Sequence, residues 1–600
     1  MLFKMHLIKL YRHMISMSFS LSFRAAPVIM IVRLVFLLYG VFAPAITVLA
    51  LRNVIDSLVL LNIEQLTRWF VLLCTVQILT IFINKVAIFI STLHGDKISL
   101  IISTDIIDNI CKLDISYFED PATYDELINA SRDINSMPSI IWNVLSSLQA
   151  ITQLIIVCVM LASFAWYVPL VICLVSLPGY IVDRKISLEL YDWNRGVVNE
   201  VRKMNYSYDT LISRYYSKDI RIKNLYSYLR AKYIEQWRNW FFAKKKLITK
   251  HFIMSFLLIF LPHISIIGFS LVVVASIFAQ ENTTGDFMFY SGLMSQVAGG
   301  IFSIVATMTD LIQQKVKVDN YMKFKSWKPR NITVDYAASN IEFNQHEIKE
   351  LKSIEFRNVS FSYPNTNILA LDNVSFVIYQ GEKVGFVGRN GSGKTTVVKL
   401  LLGLYIPTKG EIFVNDIPLK QCKINLYQNL FSEMMQDYVN YSFPLYENII
   451  MADINSKHTD ERIEKACKLS DIYSLVNNWK HGIHSSLTKG FDVNGVELSG
   501  GEWQKIALAR FFYREAQFYL MDEPASSLDA DSEEYIFKSV FDKLKDKTLL
   551  LISHRLSNIK IMDKILVFDM GKVIEIGTHD QLLSNDKLYT HLYGLQASKY

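Results

Sequence analysis

The residues Gly388-Arg389-Asn390-Gly391-Ser392-Gly393-Lys394-Thr395 join an apolar run that begins at Lys383 to another that begins at Thr396. The spacing is GxxxxGK followed by Ser or Thr, between a predicted strand and a predicted helix, which is the setting of a phosphate-binding loop. Glycines let backbone N–H groups turn inward around phosphate oxygens, and the start of a helix adds the positive end of its dipole. Gly388, Arg389, Asn390, Gly391, Ser392, Gly393 and Thr396 are therefore expected to wrap the phosphates of a nucleotide. Lys394 is expected to meet the β- and γ-phosphates and Thr395 to ligate Mg2+. A chance glycine-rich turn would lack both flanks.

A second set lies at Phe518-Tyr-Leu-Met-Asp522-Glu523-Pro524. An apolar strand that ends in Asp-Glu is the Walker B form. Asp522 would hold the magnesium, and Glu523 would polarise an attacking water as general base. A strand ending in acids is common on its own; behind a phosphate-binding loop it is specific.

The third set, Leu498-Ser499-Gly500-Gly501-Glu502, precedes the helical run Ile506-Ala-Leu-Ala-Arg510. A small hydroxyl, bare backbone amides and a helix start make an anion site. Here the chain resembles the ABC ATPases, whose LSGGQ motif this matches with Glu502 in place of glutamine. The resemblance implies that Ser499, Gly500 and Gly501 bind the γ-phosphate held by a facing subunit. It also implies roles for Tyr363 (stacking on adenine), Gln436 (a contact to magnesium and the attacking water), Asp529 (the D-loop) and His554 (a γ-phosphate switch). These positions follow one another in the family order.

The elements that must position these residues come in two kinds. Hydrophobic residues make up 51% of the 600 residues, and the mean hydropathy is +0.23, so membrane segments are expected. Runs near 28–51, 69–92, 141–164, 166–184, 252–278 and 286–312 approach the ~20 residues that a bilayer span needs. The fourth is interrupted by Pro169 and Pro178, and almost no loop separates it from the third. The expected fold is a six-span α-helical membrane domain (28–312) followed by an α/β P-loop ATPase domain (353–600). Residues 1–27 read as an interfacial amphipathic segment and 313–352 as a linker.

Charge sets the expected orientation. Residues 183–250 carry sixteen Lys/Arg against seven Asp/Glu, and no acid precedes Asp56. Both termini and the ATPase domain should be cytosolic, although residues 95–138 run against the rule with an acidic excess. The connections 93–140 and 185–251 are too long for turns, so the membrane helices should continue beyond the bilayer. Arg33 and Lys85 sit near span ends and read as snorkelling side chains rather than substrate contacts. A net charge of +6 gives no reason to expect nucleic acid. The six cysteines form no CxxC pair, so neither a disulfide framework nor a zinc site is expected.

The resemblance extends along nearly the whole chain, to exporters with a membrane half fused to one cassette. Tyr117-Phe-Glu-Asp-Pro121 is similar to their first cytosolic connection, Lys218-Asp-Ile-Arg221 to the segment near their second coupling helix, and Gly285-Asp286-Phe287 to the start of their sixth span. Such a subunit uses ATP and Mg2+ and pairs with a second copy of itself or a related half-transporter in the lipid bilayer. The wording from Gly501 to Arg510 resembles lanthipeptide exporters of the nisin and subtilin type. A first span near residue 28 leaves no room for a cysteine-peptidase domain, so a leader on the peptide should be cut by another protein. Multidrug or lipid export is the alternative, and an ATP-gated sensor that moves nothing is a further one. Abundant Ile, Lys and Asn point to a bacterial source and its plasma membrane.

Overall fold

The computed structural model describes residues 15–132, 137–327, 346–524 and 530–597. Its two compact units are Met1–Cys111 with Asp125–Trp327, and Lys112–Tyr124 with Lys328–Tyr600. Asp529 and most of the amphipathic N-terminus, residues 1–14, lie outside the described residues.

The first unit is helical. Helix α1 covers residues 15–25. There follow α2 (Pro27–Val59), α3 (Ile63–Ile110), α4 (Ser116–Glu119), α5 (Pro121–Arg132), α6 (Pro138–Ala162), α7 (Tyr167–Gly196), α8 (Val198–Ile212), α9 (Ser217–Ile222), α10 (Tyr226–Phe278) and α11 (Thr284–Lys325), of which α4 belongs to the second unit. Helices α2, α3, α6, α10 and α11 carry stretches long and apolar enough to cross a membrane. The fourth expected span is α7, whose apolar part, Tyr167–Gly179, is shorter because Asp183, Arg184 and Lys185 follow closely. Helices α3 and α10 have 48 and 53 residues. At 1.5 Å per residue they run ~70–80 Å, more than twice a hydrocarbon core, so they continue beyond it.

Two expectations change. The segment 313–352 is not linker throughout, because α11 continues to Lys325. Val318, Tyr321 and Phe324 bury one face of that extension, and Lys315 pairs with Asp319 one turn on. Arg33 does not snorkel: its guanidinium lies 5.4 Å from the centre of the Trp142 ring, and its Nε is buried without a hydrogen-bond partner. Lys85 is exposed, as a snorkelling lysine should be.

The unit's tightest polar knot ties α2 to α11. Thr283 and Asp286 form a capping box at the start of α11, satisfying N–H groups that a helix start leaves open. Asp56 of α2 accepts from Gly285 N at 2.9 Å and Thr283 Oγ1 at 3.0 Å. Arg52 Nη2 lies 2.8 Å from Asp286 Oδ1. A Cβ on Gly285 would stand 2.5 Å from the Arg52 carbonyl oxygen, so glycine is what lets the backbones meet.

The second unit is an α/β domain. Its strands are β1 (Ser353–Ser362), β2 (Leu369–Tyr379), β3 (Lys383–Gly388), β4 (Lys409–Val414), β5 (Ile417–Pro418), β6 (Phe431–Met434), β7 (Phe518–Asp522), β8 (Thr548–Ile552), β9 (Lys564–Asp569) and β10 (Lys572–Gly577). One sheet is antiparallel, in the order β2-β1-β4-β5; the other runs β10-β9-β3-β8-β7-β6. In the second sheet only β9 and β10 pair antiparallel. Strands β7 and β8 are buried at every residue, as the inner strands of a sheet covered on both faces must be. The helices that matter for the site are α12 (Lys394–Leu401), α13 (Gly500–Tyr513) and α14 (Ala530–Lys543). Residues 112–124 pack with this unit, with Ile115 against its core.

The α2–α11 knot gives a prediction. Asp286→Ala removes the ion pair and the carboxylate half of the capping box, leaving the Thr283 cap, and should lower stability by about 2 kcal/mol or more. Asp286→Asn keeps an acceptor for the cap and should lower it less. Thermal unfolding of the detergent-solubilised protein reads both, and an Asp286→Asn protein that melts with the wild type would show that the ion pair contributes nothing.

Candidate functional site

Strand β3 ends at Gly388, and the chain turns through Gly391 and Gly393, both in the left-handed region (φ 75° and 104°), before α12 starts at Lys394. A Cβ on Gly393 would lie 2.6 Å from Leu371 Cδ2, and one on Gly388 2.3 Å from the Phe568 carbonyl oxygen. Sterics and backbone angles thus both require glycine at these two positions. Lys394 is buried and donates to the carbonyls of Gly388 and Arg389 at 2.9 and 3.0 Å. Burial lowers its pKa, and the nearby Asp522 and Glu523 oppose that.

The parallel sheet brings the second set alongside. Thr395 Oγ1 donates to Asp522 Oδ2 at 3.2 Å. Asp522 is 1% exposed, and its carboxyl is pushed up to about 6, mainly by burial, with Glu523 adding and Thr395 and Lys394 opposing. A hydroxyl and a buried, under-compensated carboxylate at the end of a strand are a fitting donor pair for a hard divalent cation. Thr395 and Asp522 would hold such an ion.

Glu523 follows in a left-handed conformation, φ 51°, which is rare for a residue with a side chain. Its N–H donates to the Ile552 carbonyl at 2.9 Å. Its carboxylate is gripped from two sides. Gln436 Nε2 donates to Oε2 at 3.1 Å, and His554 Nε2 lies 2.7 Å from Oε1. The acid is therefore fixed in direction by an amide and an imidazole, each from a different strand end.

The third set stands apart. Ser499 caps α13 in a capping box with Glu502. The Glu502 carboxylate accepts from Ser499 N at 2.6 Å and from Ser499 Oγ at 2.8 Å. Among the described residues Ser499, Gly500 and Gly501 share no hydrogen bond or ion pair with the phosphate loop. Gln504 Nε2 donates to the Pro524 carbonyl at 2.6 Å, so α13 is tied to the chain just after Glu523.

A family model described as ABC transporter matches residues 371–526. The subtilin transport ATP-binding protein SpaT of Bacillus subtilis is 30% identical over 477 residues, 79% of this chain and 76% of that protein. The chain belongs to the ABC transporter family. The nisin transport ATP-binding protein NisT of Lactococcus lactis subsp. lactis is 37% identical over 250 residues, 42% of this chain and 41% of its own. The ATP-dependent lipid A-core flippase of Bordetella avium is 34% identical over 247 residues, 40% of each chain. A bacterial Atm1-family ABC exporter with ATP bound shares the fold, with a TM-score of 0.78, 19% identity and coverage of 95% of this chain and 99% of that one. This ABC transporter is thus a multi-pass membrane half fused to a nucleotide-binding, ATP-hydrolysing half.

The transporter also holds polar contacts that motif reading did not single out. Tyr363 is half-buried, edge-on to Phe361 and Tyr405, with its hydroxyl 3.1 Å from Thr396 Oγ1. The Lys399 ammonium sits 5.4 Å from the centre of its ring. Lys399 in turn pairs at 2.9 Å with Glu119 of α4, which also accepts from the Tyr405 hydroxyl. Arg510 donates to the carbonyl and side chain of Asn448 and to the Val439 carbonyl at 2.8 Å, fixing the loop beyond Gln436. Apart from Phe361, the partners in these contacts lie 33 or more residues away in sequence, as for Tyr363–Thr396, Lys399–Glu119 and Arg510–Asn448.

Two predictions follow from the charges. Between its ordinary value of 3.8 and about 6, folded Asp522 keeps a proton that the unfolded chain has released. Stability therefore falls as pH rises through that window, by about 3 kcal/mol at most. Without nucleotide or metal, Asp522→Asn should melt above the wild type at pH 8, with the gap closing toward pH 4. A gap that does not change with pH would refute the cause given. Second, an anion arriving at the start of α13 would have to compete with the Glu502 carboxylate, which already holds Ser499 N and Oγ there. Glu502→Gln should lower the KM for ATP by about two- to fivefold; an unchanged or higher KM in steady-state hydrolysis would contradict this.

Proposed function

We propose that the transporter exports a modified, lanthipeptide-like peptide from the bacterial cytosol as a homodimer, with ATP hydrolysis by Glu523 driving the cycle. What supports the peptide reading is the length of the match to the subtilin transporter. Its 477 residues exceed the 248 of positions 353–600, so the likeness reaches into the membrane half. Export of a lipid is the second reading, favoured by the lipid A-core flippase relatives, whose matches run from 247 residues to 332, the longer of them also reaching beyond the cassette.

In the proposed chemistry the loop from Gly388 to Thr396 wraps the phosphates, Lys394 turns from the loop carbonyls to the β- and γ-phosphates, and Tyr363 stacks on adenine. Thr395, Asp522 and Gln436 would hold Mg2+, which when bound would neutralise phosphate charge. Glu523, aimed by Gln436 and His554, accepts the proton of the attacking water, and His554 also reports the γ-phosphate. Ser499, Gly500 and Gly501 close the site from a second copy, with Asp529 at the same interface. Their separation from the phosphate loop within one chain supports that arrangement. Closure of two cassettes over ATP draws the cytosolic helix ends together, and hydrolysis releases them. A substrate changes the rate only by binding one of those states better.

The test is ATP hydrolysis in lipid nanodiscs with leader-bearing lanthipeptides added. Wild type should turn over and respond saturably to one peptide, while Glu523→Gln should bind ATP and fall about 100-fold or more in rate. A response to lipids and none to peptides would replace the peptide reading with the lipid one. Vigorous turnover by Glu523→Gln would remove Glu523 as the base.

A further inference from the structure

Within the membrane unit, α2, α3 and α6 enclose a cavity of about 220 Å³. Its polar lining is Arg33, Tyr39, Thr80, Asn84, Gln149 and Gln153, and no Asp or Glu takes part. Tyr39 and Thr80 are satisfied by each other and by the Val76 carbonyl. The others are not: Asn84, Gln149 and Gln153 make no hydrogen bond among the described residues, and Arg33 has no acidic partner there. Arg33 rests on the Trp142 ring, which orients the cation and leaves its charge uncompensated. The Gln149 amide reaches the wall of α2 only because position 40 has no side chain; a Cβ on Gly40 would stand 2.3 Å from Gln149 Nε2.

An unpaired cation is costly at membrane depth and marks a functional site there, and the exposed Asn84 and half-buried Gln149 and Gln153 amides beside it are free to bind a ligand. Arg33 lies six residues, ~9 Å, along α2 from Pro27, and the cavity extends ~17 Å further to Pro44. A guanidinium and three amide groups supply many donors and a single positive charge, which suits an oxyanion with several acceptor atoms. At about 30 Å³ per water-sized group the volume admits a head group and its linker, well short of a whole drug-sized ligand.

We propose that this cavity binds one oxyanion, a carboxylate or phosphate carried by an amphipathic molecule, with Arg33 as the charge contact and Gln149 and Gln153 as hydrogen-bond donors. As a contact for cargo it rests on the exporter reading; as an anion site it stands without it.

The test uses the full-length protein in dodecyl maltoside, titrated with dodecyl phosphate and with dodecanoate while the melting temperature is followed. Dodecyltrimethylammonium is the control of equal chain length. Wild type should show a saturable rise with the two anions and none with the cation. Arg33→Gln should raise the half-saturating concentration by about tenfold or more. Arg33→Lys should recover part of the response, and Gly40→Ala should weaken it with the charge kept. An Arg33→Gln response equal to wild type, or equal stabilisation by the cation, overturns the proposal. In nanodiscs, loss of the dodecyl phosphate response on phosphatidylglycerol but not on phosphatidylcholine means that a lipid head group fills the site. A response on both means that the anion comes from elsewhere, as on a cargo; either result keeps the site. A wild type that binds the anion yet hydrolyses no ATP leaves the site standing and removes the exporter reading. Hydrolysis with an Arg33→Gln response equal to wild type does the reverse.

Discussion

In the six-stranded sheet Asp522 stands opposite Ile552, and the Glu523 N–H reaches the Ile552 carbonyl one residue on. That parallel register brings the ends of β3, β6, β7 and β8 to one edge. The edge collects Gly388, Gln436, Asp522, Glu523 and His554 from positions spread over 167 residues of sequence (388 to 554). A one-residue slip in β7 would send every side chain to the opposite face. It would turn Asp522 away from Thr395 and free Glu523 from both of its partners. The unbroken apolar cores of β7 and β8 give no alternative face to prefer, so the ends of the strands carry the specificity. There Gly388 is held against the Phe568 carbonyl and Glu523 in its left-handed turn.

The same edge concentrates charge that is only partly balanced. Glu523 acts on both Lys394 and Asp522, those two act on each other, and Asp522 is the most buried of the three. A site finished without ligand would pair these groups more fully. Here the lysine is parked on two carbonyls, and the carboxylate leans on a single hydroxyl. Both contacts would have to be given up for the nucleotide and metal ion proposed above. Preorganisation is therefore greatest around Glu523, which has two side-chain partners and a fixed backbone, and least where ligand must enter.

Much of this was legible in the sequence. The phosphate loop, the strand ending in Asp522 and Glu523 and the helix start after Ser499 are local patterns, and each needs only its own few residues to form. The long-range contacts were not legible. Nothing near Glu119 in sequence points to Lys399 or Tyr405, and Arg510 reads as the last polar residue of an amphipathic helix. Glu502 was legible as a departure from glutamine, but its grip on Ser499 emerges only with the cap geometry. The extent of α11 is not legible, because Lys315, Lys317 and Asp319 resemble a solvated linker, whereas Val318, Tyr321 and Phe324 bury the face that holds the helix together.

The membrane half makes the same point with charges alone. Arg33, Arg52 and Lys85 look alike in sequence, each a single basic residue in or at the end of an apolar run. Arg52 finds Asp286 across the α2–α11 junction, Lys85 faces outward, and Arg33 lies against an aromatic ring beside idle amides. Hydropathy cannot separate these outcomes, since it counts charge and ignores which helix faces which. The partner's distance along the chain decides. A cation whose acid sits on a helix more than 200 residues later, as Asp286 does for Arg52, becomes structural only after the helices pack. Arg33, which has no acidic partner among the described residues and no acid in the lining of its cavity, keeps its charge available, and the complement proposed for it is an anion from outside the fold.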